Sequence, residues 1–190
     1  MNIAVMKERH VNEVTESDDY RRFEKMLEAA APGESIVPGL ADDVHDDHLL
    51  RVLVVDDHRA ITDTLSSLVA LWGHDVRRSY DGVTGLALAA AYRPDVLLLD
   101  ILMPSVSGIE VAMQVRRQDR LKHCFIVGIT GRTDATHRNW CYEAGVDLLL
   151  TKPVAPSHIQ TLLMLEKEHV RQLSTNSNVR TDRRETAATY

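Results

Sequence analysis

Apolar runs long enough for a buried strand, and too short for a core helix, recur through the middle of this chain at 52–55, 96–99, 125–129 and 148–150. Strands that are apolar at every position are those covered on both faces. A fifth, shorter run near 76–79 alternates and carries Arg77 and Arg78, which suits the edge of a sheet. Between the runs lie segments with helical spacing. Residues 59–72 carry the stripe Ile61, Leu65, Leu68 and Trp72 and stop at Gly73. Residues 83–92 are rich in alanine and stop before Pro94. A third helix follows Pro104 and Gly108 with Ile109, Ala112, Met113 and Arg116. A fourth starts near Thr133 or Asp134 and stops at Gly145, and a last one starts near Ser157. Five strands and five helices in strict alternation predict an α/β fold. The sheet is parallel and doubly wound, with helices on both faces and right-handed crossovers.

The strand ends carry the chemistry. Asp56 and Asp57 close the first strand, Asp100 the third and Thr130 the fourth, and Lys152 lies just past the fifth. Parallel strands place their carboxyl ends on one edge, where open α/β sheets bind ligands. Clustered carboxylates repel and raise one another's pKa, and a divalent cation removes that penalty. An all-oxygen set favours magnesium, with Asp57 and Asp100 as direct ligands and Asp56 acting through water. No His or Cys set is positioned there for zinc. A carboxylate can also serve as a nucleophile and form an acyl phosphate. Asp100 is the best placed, since it ends the central apolar strand. Lys152 would balance charge on the phosphoryl oxygens, and Thr130 would donate a hydrogen bond. Singly these signals are weak, because a strand-end Asp often only caps the next helix and a Lys-Pro is usually a turn. Four strand ends in this order carry the reading.

The remainder of the chain is polar. Residues 1–48 hold five basic and twelve acidic side chains and read as an acidic, partly disordered extension. A weak amphipathic helix there starts at Ser17 and presents Tyr20, Phe23 and Leu27. The organised unit is 49–171, and 172–190 reads as a mobile tail. The formal net charge is −6 and no clustered basic face is visible, so DNA binding is not expected. No apolar run is long enough to span a bilayer, and the first residues lack a signal peptide's stretch, so the cytoplasm is the default. Cys124 and Cys141 lack metal-ligand spacing and read as core thiols, while Trp72 and Trp140 read as core or groove residues. His45 to His48 and His58 carry no stronger reading than incidental histidines beside acids.

Three motifs together resemble a known family. Val54-Val55-Asp56-Asp57, Leu99-Asp100-Ile101-Leu102-Met103-Pro104 with Gly108, and Thr151-Lys152-Pro153 are similar to those of the receiver domain of bacterial two-component response regulators. Ile129-Thr130-Gly131 falls between the second and third as in that family. The resemblance covers about 49–171. It implies a flavodoxin-like five-stranded sheet of order 2-1-3-4-5 and Asp100 as phosphoacceptor from a sensor histidine kinase or a histidine phosphotransfer protein. It implies a magnesium site of Asp56, Asp57, Asp100 and the backbone carbonyl of Leu102. It also implies Thr130 as the switch hydroxyl, Lys152 as phosphate partner, and a Lys152-Pro153 bond that is often cis.

One position departs from the pattern. Many members carry Tyr or Phe three residues before the lysine, where this chain has Leu149. Phrases such as Leu71-Trp72-Gly73-His74-Asp75-Val76 look more like receivers of hybrid sensor kinases. With no output pattern visible, the chain reads as a single-domain switch or phosphorelay intermediate acting on an unknown downstream protein. It is expected to be no enzyme beyond catalysing its own phosphorylation and dephosphorylation. The excess apolar residues Leu162-Leu163-Met164-Leu165 suggest a surface for a partner or a second copy. A haloacid-dehalogenase-like phosphatase also uses a strand-end Asp, but it needs an acid two residues later, where Leu102 stands. A degenerate docking receiver would not need Asp57, Asp100, Thr130 and Lys152 intact.

Overall fold

Three of the four apolar runs form the inner strands of a five-stranded parallel sheet of order 2-1-3-4-5, and the fourth, at 148–150, lies at one edge. In this computed structural model the described residues are 49–185, with side chains described to 173. The strands are β1 (Arg51–Val55), β2 (Asp75–Ser79), β3 (Val96–Asp100), β4 (Phe125–Thr130) and β5 (Leu148–Thr151). The helices are α1 (Arg59–Leu71), α2 (Gly82–Tyr92), α3 (Gly108–Arg116), α4 (Ala135–Glu143) and α5 (Pro156–Glu185). A 3-10 turn (Asp119–Leu121) precedes β4. The arginine-bearing strand β2 lies at the edge, beside β1.

Side chains alternate across a strand, so each inner strand feeds two cores. Leu53, Val55, Leu97, Leu99, Ile126 and Leu149 pack under α2, α3 and α4. Val52, Val54, Leu98, Val127, Ile129 and Leu150 pack under α1 and α5. Both faces are therefore dry. The far edge is tied by Arg116, whose guanidinium donates to the carbonyls of Gly145 at 2.9 Å and Cys124 at 2.6 Å and pairs with Asp147.

Caps set the helix starts. Asp81 accepts the Thr84 N–H and Asp134 the His137 N–H. Ser107 and Glu110 form a reciprocal capping box at the start of α3.

Several expectations change. The buried residues of α1 are Thr62, Ser66 and Val69; of the expected stripe Leu65 and Trp72 pack partly buried against the core, and Ile61 is exposed. Thr62 can be buried because its hydroxyl donates to the Asp56 carbonyl at 2.7 Å. Met113 and Trp140 face outward, because α3 turns in Val111, Ala112 and Val115 and α4 turns in His137 and Cys141. Cys124 and Cys141 are buried free thiols.

The last helix is continuous to Glu185, past residue 171, since no Gly or Pro follows Pro156 to stop it. The reading of 1–48 lies outside the described residues. Among the described residues no helix is long and apolar enough to cross a membrane.

Candidate functional site at the strand carboxyl edge

Register brings the strand ends level. Val55 pairs with Leu99, Asp100 with Ile129, and Thr130 with Thr151. The next residues of each strand therefore meet at one edge, as the spacing predicts.

Lys152 is the centre of that meeting. Its ammonium lies 3.0 Å from Oδ2 of Asp100 and 3.0 Å from Oδ2 of Asp56. Both acids are 5 % exposed. Burial pulls the lysine's pKa down, but hydrogen bonds and attraction from Asp100 and Asp56 together outweigh it, and the net shift is upward. The Lys152 backbone N–H donates to the Thr130 carbonyl at 2.8 Å, which joins β5 to β4 at this point. The Lys152-Pro153 peptide is cis.

Backbone donors hold the other carboxylate oxygens. Asp100 Oδ1 accepts the Leu102 N–H at 3.1 Å, and Asp56 Oδ1 accepts the His58 N–H at 2.8 Å. Gly108 packs directly beneath the loop after β3. A Cβ there would stand 2.2 Å from the Asp100 carbonyl oxygen, so only glycine allows α3 to start this close.

Asp57 is half-buried beside Asp56, and one ligand atom each from Asp56, Asp57 and His58 falls within a 4.8 Å group. Carboxylate oxygens fixed by backbone N–H donors, with one acid open to solvent, fit a hard divalent cation such as magnesium.

A cleft of about 740 Å³ runs from Asp56, Asp100 and Lys152 along α1 and α5, with Ile61, Leu65 and Ile159 in its walls. The outward side of α1's apolar stripe lines this cleft.

Thr130 is fully buried. Its Oγ1 accepts the Arg132 N–H at 3.1 Å and lies 3.3 Å from His137 Nε2. The sequence reading missed His137, since one histidine on a polar helix carries no periodic signal. Leu149 is buried in the core, 2.8 Å from the point where a Cβ on Gly128 would lie.

The arrangement has known counterparts. The profile of the "Response regulator receiver domain" family matches residues 52–164. Over 107 residues the chain is 39% identical to the response regulator MprA of Mycobacterium avium, covering 56% of this chain and 46% of that protein. Over 103 residues it is 34% identical to the DNA-binding dual master transcriptional regulator RpaA of a Synechocystis strain, covering 54% of this chain and 43% of that one. Each match takes in less than half of the relative's length. The expected lack of DNA binding finds no support in such relatives.

Among solved structures, the Vibrio cholerae chemotaxis protein CheY4 superposes with a TM-score of 0.59 at 30% identity. That match covers 62% of this chain and 98% of CheY4. The receiver domain of a Pseudomonas aeruginosa sensor histidine kinase, 22% identical with a TM-score of 0.58, shares the fold over 64% of this chain and 99% of its own. With the family profile matched over more than half its length, on a five-stranded sheet of order 2-1-3-4-5, the chain belongs to the response regulator receiver domain family.

Proposed function

We propose that residues 49–171 form a cytoplasmic, phosphorylation-dependent switch or phosphorelay intermediate. It takes a phosphoryl group onto Asp100 from a sensor histidine kinase or a histidine phosphotransfer protein. The observation that supports this most is the Lys152 ammonium, 3.0 Å from both Asp100 and Asp56 at the carboxyl edge of the sheet.

In this reading an Asp100 carboxylate oxygen attacks phosphorus. The bond from phosphorus to the donor's imidazole nitrogen breaks, and its electron pair stays on that nitrogen. Lys152 then turns its charge to the phosphoryl oxygens, and Thr130 supplies a hydroxyl donor. Asp56, Asp57, Asp100 and the Leu102 carbonyl would hold magnesium, as a cation is held in the active-site cleft of the Pseudomonas receiver. Magnesium bound there neutralises negative charge on the carboxylates and the phosphoryl group. The chain's own part is to hold the nucleophile still through the Leu102 N–H and to set an ammonium beside the two buried acids.

The surface for the downstream partner in this reading is on α5. Met164 and Leu165 on α5 are 38% and 37% exposed, beside the buried Leu162 and Leu163. A hydrolase would need an acid at position 102, where the exposed Leu102 has none.

A small-molecule phosphodonor with magnesium tests the assignment. One phosphoryl group is expected by intact mass, absent in Asp100→Asn. Labelling that persists in that variant overturns it.

A further inference from the structure

Four contacts at the start of α4 close into a ring. Thr130 Oγ1 accepts the Arg132 N–H at 3.1 Å. Arg132 Nε donates to Asp134 Oδ2 at 3.0 Å. Asp134 Oδ1 accepts the His137 N–H at 3.0 Å, which caps the helix. His137 Nε2 returns to Thr130 Oγ1 at 3.3 Å.

The ring has two buried members. Thr130 is 0 % exposed and His137 is 3 % exposed, and in this dry place the imidazole Nε2 meets the hydroxyl that also accepts the Arg132 N–H. Of the nine residues of α4, only His137 and Cys141 are buried. Cys141 and the partly buried Tyr142 pack that helix on the core, and the imidazole that meets Thr130 is its buried polar contact. Leu149, from the neighbouring strand β5, brings no hydrogen-bonding group.

A threonine hydroxyl has one proton to give and two lone pairs to accept with. In the present arrangement the lone pairs and proton serve the β4–α4 loop and His137. If the hydroxyl moves to a phosphoryl oxygen on Asp100, it leaves a position shared with the Arg132 N–H and His137 Nε2. The buried imidazole then loses its partner unless α4 moves with it.

We propose that His137 is the positioning residue that couples the Thr130 hydroxyl to α4, so that phosphorylation shifts the α4 surface through this contact. This rests on the reading of Asp100 as phosphoacceptor. Trp140, 53% exposed and three residues along the same helix, is a built-in reporter.

The test uses the full chain carrying Trp72→Phe, which leaves Trp140 as the single tryptophan of the original two. Phosphodonor and magnesium are added, and Trp140 emission and intact mass are followed together. The expected result is an emission change on labelling. In His137→Leu the label persists but the change is lost, and His137→Gln restores part of it. Retention of the full change in His137→Leu, with the label present, overturns the coupling alone. Failure to label the unsubstituted chain overturns the reading of Asp100 on which it rests. A second measurement needs no substitution at 137. The His137 Nε2 nitrogen resonance of the unsubstituted chain is expected to move on addition of beryllium fluoride and magnesium, and a fixed resonance in a labelled protein overturns the proposal.

Discussion

The Lys152 ammonium stands 3.0 Å from Asp100 while also standing 3.0 Å from Asp56, so one cation balances two acids buried at the end of different strands. Lys152 is 52 residues from Asp100 in sequence and 96 from Asp56. Without it the two buried carboxylates would lose the cation they share, and like charges at close range repel.

Replacing this lysine by methionine keeps the stem and removes the charge. Lys152→Met is expected to destabilise the metal-free chain by about 2–3 kcal/mol, less than a fully buried pair because the lysine side chain is 30% exposed. Magnesium should recover part of the loss. Urea midpoints with and without magnesium chloride decide it, and an unchanged midpoint would contradict the pairing argument.

Asp57 is the open acid of the group, and its amide variant tests the cation reading. Magnesium at a hundred times its Kd is expected to stabilise the unsubstituted chain by about 2.7 kcal/mol. Asp57→Asn should lose most of that gain, and a chelator should abolish labelling of Asp100. An equal thermal shift in both proteins would place the cation elsewhere.

Gly108 lets the α3 start touch the backbone of the nucleophile's loop. A Cβ there would also stand 2.7 Å from the Ile101 Cα. Because the neighbours are backbone, Gly108→Ala is expected to cost at least about 1–3 kcal/mol and to slow labelling by displacing Asp100. Gly131→Ala, which meets nothing within 4 Å, serves as the control and should stay within about 0.5 kcal/mol. Similar denaturation midpoints for the two variants would refute the close approach.

Alkaline pH should act through a buried thiol. Burial pushes the Cys124 thiol up to about 12 from an ordinary value of 9.0. A group raised on folding gives stability that is whole below its unfolded pKa and is lost as pH rises through the folded one. Stability should therefore fall between about pH 9 and about pH 12, and Cys124→Ala should flatten that fall. Lys152, also raised, acts in the same direction above its ordinary value of 10.5. Parallel stability-pH curves for the two proteins would exclude the thiol.

Much of the fold was readable residue by residue. The runs at 96–99 and 125–129 are apolar at every position, which only a strand covered on both faces requires, and both became inner strands. The stripe of α1 was read in part. Leu65 and Trp72 pack against the core, whereas Ile61 is exposed at the cleft and Thr62 goes inward because the Asp56 carbonyl satisfies its hydroxyl. Hydropathy alone cannot see a hydroxyl that finds its acceptor six residues back. His137 was invisible for the same reason. Its imidazole meets Thr130 at the end of β4, and no local spacing announces that contact.

Local sequence was enough to state which segments are strands, that they alternate with helices, and which acids, hydroxyl and amine sit at strand ends. Those properties follow from side-chain period and chain connectivity, which are short-range. The pairing of Lys152 with two acids, the seat of Gly108 against Asp100, and the contact of His137 with Thr130 came only with the assembled sheet. Each depends on register and on how a helix returns across the sheet. Those are set by packing between residues far apart in the chain, and a few tenths of an ångström there decide whether two groups touch.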